Sequence, residues 1–181
     1  MNWYFSDQHW GHKNLAHHRG FSSVDEMNQT IVDGINQYAT KRDVLYCLGD
    51  VFWEGKPEQI KVFLRQLNFK KLIFIKGNHD KPLLRFMKQN KDSRFELYDS
   101  LIIKDHGIQL HMYHYPIADW EKKFHNCNPD GYKYLHLHGH QHIVNNFPLF
   151  KEKGAVNVNV DMNDYKPLNI DDIKRIVSNQ K

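Results

Sequence analysis

The chain has 181 residues, 40% hydrophobic and 25% charged, with a formal net charge of +4 when its 13 histidines are neutral. That length suits a single domain, residues 1–181, with its own core. No apolar run approaches the ~20 residues that a membrane span needs, and two cysteines make no disulfide framework in a chain this long.

The small positive excess is too weak to define a dedicated nucleic-acid surface, although it suits an anionic substrate. The first residues, Met1 to Ser6, carry neither a basic leader nor a long apolar stretch. They read as a strand, so the cytoplasm is the expected compartment. Trp3 to Phe5 is that strand, and it ends at Ser6, Asp7, Gln8 and His9. Polar residues just past a strand's C-terminal end are where open α/β sheets place ligands. His12, His17, His18 and Arg19 follow in an expected loop. A guanidinium can grip a phosphate with two hydrogen bonds, so Arg19 and His12 are candidate substrate contacts.

Ser23 caps the next expected helix, with Glu26 placed to complete a capping box. Met27, Ile31, Ile35 and Tyr38 recur at helical spacing and form its buried stripe. Val44 to Leu48 is wholly apolar, as in a strand covered on both faces, and runs straight into Gly49 and Asp50. Cys47 reads as a small buried hydrophobe. Pro57 suits the first turn of a second helix with Ile60, Phe63, Leu64 and Leu67 on its buried side. Lys71 to Ile75 is a third strand, which delivers Gly77, Asn78, His79 and Asp80 at its exit. A helix resumes at Pro82.

Leu97 to Lys104 and Ile108 to Tyr113 read as paired strands around a tight turn at His106 and Gly107. The second of them ends at His114, where Pro116 biases Tyr115 toward extended backbone. Trp120 to Asp130 reads as a surface excursion. Tyr132 to His138 is a strand that, from Tyr134 on, alternates histidine with apolar residues and leads to Gly139, His140, Gln141 and His142. A strand turns every second side chain to one face, so this run can aim several imidazoles at one point, and neutral imidazole ligates Zn, Fe, Mn and Ni. Ala155 to Val160 alternates strictly and reads as a half-buried strand. Asn169 caps a closing helix, with Asp171 and Asp172 against its N-terminal dipole.

One arrangement repeats: a strand, then a polar ligand at its exit. In chain order the blocks are Asp7-x-His9, Gly49-Asp50, Gly77-Asn78-His79-Asp80, His114 and Gly139-His140-Gln141-His142. Asp-x-His alone is a common pair, but five blocks in this order resemble the calcineurin-like metallophosphoesterase superfamily, and the opening from Ser6 to His12 is similar to its small bacterial and phage phosphoesterases. The resemblance implies an α/β fold, a four-layer α/β/β/α sandwich of two mixed sheets flanked by helices.

It also implies two divalent metal ions, Mn first, with Fe, Zn or Ni as alternatives. Asp7, His9, Asp50 and His142 would bind one ion; Asp50 would bridge to a second, held also by Asn78, His114 and His140. His79, oriented by Asp80, would face the phosphate as general acid while a metal-bridged hydroxide attacks, and Asn78 would also touch substrate. The implied activity is hydrolysis of phosphomonoesters or phosphodiesters, nucleotides and cyclic nucleotides among them. Two other readings stay open. One is a catalytically silent, metal-stabilised scaffold that binds another protein. The other is a nuclease acting on nucleic-acid ends, for which Trp10, Trp53 or Trp120 would be stacking candidates. Oligomeric state is not legible.

Overall fold

Three short apolar segments near the N-terminus pair side by side and in parallel. In the computed structural model, which describes residues 1–127, 132–143 and 150–180, these are β1 (Asn2–Phe5), β2 (Val44–Cys47) and β3 (Lys71–Ile75), and β4 (Phe95–Tyr98) completes a sheet of order β1-β2-β3-β4. All four strands are parallel; the sheet's mixed character comes from Leu168, which bridges Tyr4 in the antiparallel sense. The second sheet has the order β5-β6-β7-β8, from Ser100–Asp105, Ile108–Tyr113, Tyr134–His138 and Ala155–Asn157. There β5 and β6 are antiparallel and the other pairs parallel.

The two-residue period decides what each strand buries. Trp3, Phe5, Leu45, Cys47, Leu72 and Phe74 face outward and pack on α1 (Lys13–His18), α2 (Val24–Asn36), α3 (Pro57–Leu64) and α4 (Lys81–Gln89) through Ala16, Ile31, Ile60 and Phe86. Tyr4, Tyr46, Ile73 and Ile75 face the other way. They meet Leu110, Met112, Leu135 and Leu137 of the second sheet in a second core, which α5 (Ile170–Ser178) joins with Ile173 and Val177. Two face-to-face sheets with flanking helices are the architecture expected from the sequence. No helix among the described residues is long and apolar enough to cross a membrane.

Local signals hold where the chemistry is local. His106 and Gly107 both have positive φ, 46° and 83°, as a two-residue type I′ hairpin requires. The Ser23 and Asn169 side chains cap α2 and α5. Glu26, however, reaches back to the amide and hydroxyl of Ser22, not to Ser23, so the expected capping box at α2 is not closed.

Four expectations need correction. Residues 13–18 form the helix α1 where a loop was expected; the ring nitrogen of His12 accepts from the Leu15 amide and starts it. The single strand expected from Leu97 to Lys104 is two strands in different sheets, because the chain breaks pairing at Asp99 and crosses over. The last strand stops at Asn157 in place of Val160, since Asn159 leaves the second sheet to bridge Ser6 beside β1. Trp120 is buried, its indole N–H donating to the Tyr134 carbonyl and its ring packed on His136, so it is no surface residue. The part of that excursion at 128–130 lies outside the described residues.

Candidate metal centre

The C-terminal ends of β1, β2, β3, β6 and β7 converge on one point. Two groups of potential ligands form there. Asp7, His9 and His142 make the first; Asp50, His114 and His140 make the second; within each, the ligand atoms lie within 4.8 Å of one another. Asn78 joins the second group, its Oδ1 lying 3.0 Å from His114 Nε2 and 3.1 Å from His140 Nδ1. The groups touch through Asp50, whose Oδ2 is 3.7 Å from His9 Nε2 and 3.4 Å from His114 Nε2, and through the Nε2 atoms of His9 and His142, 3.2 Å apart.

The backbone is strained to achieve this. Asp7, His9, Asp50 and His140 all adopt positive φ, between 50° and 69°. Each such non-glycine residue costs roughly 1–3 kcal/mol, a burden that concentrates at working sites. Close approach also demands glycine beside the carboxylates. A Cβ at Gly77 would lie 2.2 Å from Asp50 Oδ1, and one at Gly139 would lie 2.2 Å from Asp7 Oδ2.

The ring orientations fit cations. His114 Nδ1 is 2.8 Å from the Leu48 carbonyl, and His142 Nδ1 is 2.7 Å from Asp161 Oδ2. With those nitrogens donating, each Nε2 is left as an acceptor. It then faces other acceptors: Asp50 and Asn78 oxygens for His114, and Asp7 Oδ1 at 3.6 Å for His142. Lone pairs aimed at lone pairs are stable only with positive charge between them. With no cation between them, the ligands shift their own protons instead. Burial drives His9 down to about 2, a neutral imidazole. Burial pushes Asp50 up, but the bond and charge of His114 outweigh it and hold Asp50 at about 2. Burial pushes His114 down, and Asp50 outweighs that to bring it up to about 9. Asp7, wholly buried, rises to about 6 even though His114 and His142 pull it down.

Of the residues singled out in the sequence, Asp7, His9, Asp50, Asn78, His114, His140 and His142 come together. His79 sits on the rim, its ring 5.6 Å from that of His9, and its backbone N–H donates to Asp50 Oδ1 at 2.8 Å. His12 stands at the mouth, stacked on Trp53. Two assignments change. Arg19 does not reach a substrate position: its side chain is 1% exposed. It donates to the carbonyls of Asp7 and Gln8 and pairs with Asp161, Nε to Oδ1, at 2.6 Å. That contact lies off the N–H axis and acts as an ion pair more than a hydrogen bond. Asp80 is buried and accepts from the amides of Asp50, Val51 and Gly77, so it ties two ligand loops together and does not orient the His79 ring. His136 and His138 point away from the ligands. His136 bonds the His111 and Tyr115 carbonyls, and His138 bonds that of Gly139.

Sequence reading missed Asp161. It links His142 to Arg19, the carboxylate–histidine arrangement that sets a ligand's tautomer and direction. The signal was available: Asp161 stands at one more strand exit, after β8. Asp161→Asn should weaken cation binding about 10- to 100-fold. Titration of stripped protein with Mn²⁺ measures it, and an unchanged affinity would remove Asp161 from the centre.

This chain is similar to the uncharacterized protein MJ1445 of Methanocaldococcus jannaschii, 29% identical over 180 residues that cover 97% of this chain and 90% of that relative. The crystal structure of a protein of unknown function, AQ665 from Aquifex aeolicus, shares the fold with a TM-score of 0.68 and 24% identity, covering 97% of this chain and 98% of that one. The family model for calcineurin-like phosphoesterases matches residues 3–177, the span that holds every ligand described above. Matched over nearly its whole length, the chain belongs to the calcineurin-like phosphoesterases.

Proposed function

We propose that this protein hydrolyses phosphomonoesters or phosphodiesters with two divalent cations, Mn²⁺ foremost. The observation that carries this reading is the pair of adjacent ligand groups sharing Asp50. Asp7, His9, His142 and Asp50 would hold one cation; Asp50, Asn78, His114 and His140 the other. A mixed nitrogen and oxygen set suits Mn, Fe, Zn or Ni better than Ca or Mg alone. When bound, such a pair offsets phosphate charge and lowers the pKa of water to near neutrality.

The protein's own groups do the rest. Asp50 spans both groups and keeps them in register. The His79 ring, beside Asn78 on the rim, would give a proton to the departing ester oxygen. Asp80 holds the loops that carry Asp50 and His79 in fixed relation. Protein stripped of metal and reloaded with Mn²⁺ should hydrolyse bis(p-nitrophenyl) phosphate or its monoester and carry two ions per chain. Absence of turnover with each of Mn, Fe, Zn and Ni would overturn the reading.

A further inference from the structure

A hollow of about 470 Å³ opens beside the ligand groups, walled by Trp53, Asn78, His79, Lys81, Pro82 and Arg85. That size is within the usual range for small-molecule sites. It starts at Asn78, in the second ligand group, and runs along the first turns of α4. Trp53 is 41% exposed, yet it is held in place. Its ring stacks on His12 at 3.9 Å and lies 4.8 Å from the ring of His79. A large aromatic kept rigid and exposed is suited to binding another ring at little entropic cost.

Lys81 and Arg85 are one helical turn apart and share a face of α4. Among the described residues neither side chain has a hydrogen-bond or ion-pair partner. The hollow thus offers an indole wall and two unspent cations. An acyl chain would need more apolar lining than Trp53 and Pro82 supply. A neutral sugar would leave both cations idle.

We infer that this hollow takes the leaving group of the substrate and that the leaving group is a nucleotide. Its base packs against Trp53 and its own phosphate meets Lys81 and Arg85. This rests on the reading above, in which His79 serves the departing oxygen, because His79 lines the same hollow. Water supplies the oxygen of the new bond to phosphorus. The bond from phosphorus to the nucleotide's ester oxygen breaks, and that oxygen takes the proton from His79. The products are a phosphomonoester and a nucleotide with a free hydroxyl.

The test compares kcat/KM of the Mn²⁺-loaded protein on adenylyl dinucleotides with no terminal phosphate, with a 5′-phosphate and with a 3′-phosphate. A fourth substrate lacks the base on the leaving residue. The dinucleotide whose terminal phosphate sits on the leaving residue should be favoured about tenfold over the unphosphorylated one, from two charge-assisted contacts. Lys81→Ala with Arg85→Ala should bring that ratio close to one, and raising salt should shrink it in the wild type. Loss of the base should cost about tenfold in the wild type and little in Trp53→Ala. Equal rates on all the dinucleotides, or ratios that the variants do not move, would overturn the inference. Cleavage of bis(p-nitrophenyl) phosphate but of no dinucleotide also defeats it while leaving phosphoesterase activity intact. Failure on every ester with every metal instead defeats the activity itself.

Discussion

Asp50→Ala is expected to empty both cation positions and to lower phosphoester turnover by at least about 10³-fold, the rate equivalent of several kcal/mol of transition-state charge stabilisation. The carboxylate does three things at once. Oδ2 faces His9 on one side and His114 on the other. Oδ1 accepts from the His79 backbone amide. Its hydrogen bond, helped by the charges of Asp7 and of Asp50 itself, holds the proton on His114 when no cation is present. Alanine removes the shared ligand and releases the loop that carries His79. Metal analysis of the purified variant, beside its thermal midpoint, checks the claim. Two ions per chain in a folded Asp50→Ala protein would refute the shared position.

His79→Ala should do the opposite to the metals and much the same to the rate. None of the contacts that gather the ligands runs through the His79 ring, so cation content should not change. A lost general acid costs about 10²–10⁴-fold. That loss should depend on the leaving group. It should be full with an alkyl ester, whose departing oxygen needs the proton, and much smaller with p-nitrophenolate, which leaves readily as an anion. A loss equal across leaving groups would make His79 a stabiliser of phosphate charge and not a proton donor. A variant that lost its metals would make it part of the ligand shell.

The candidate ligands were legible because each obeys a local rule. An apolar strand ends, and a carboxylate, amide or imidazole follows at once. That rule located Asp7, His9, Asp50, Asn78 and His114 before any contact was known. Asp161 was the main oversight: the alternation from Ala155 to Val160 ends directly at it, so the same rule pointed there. The strand itself ends earlier, at Asn157, where Asn159 crosses to bridge Ser6.

Residue type alone misled where several similar groups competed. His136, His138, His140 and His142 sit in one alternating run. The first pair belongs to β7, and its rings bond backbone carbonyls. The second pair lies beyond Gly139, where positive φ at His140 redirects the chain toward Asp7 and Asn78. Arg19 carried the right chemistry for a phosphate, but its donors were already taken by Asp161 and by the carbonyls next to the ligands.

By itself the sequence determined most of the strands and helices, the tight turn at His106 and Gly107, and which carboxylates, amides and imidazoles stand at strand exits. Those depend on hydrophobic period, capping and turn chemistry within a few residues of one another. Tertiary structure alone decided which imidazoles face inward, that Asp50 stands between the two groups, and that Arg19 and Asp80 brace the centre from within. Those depend on which buried group finds its partner across the sheets, and burial makes an unpaired polar group costly enough to enforce one answer.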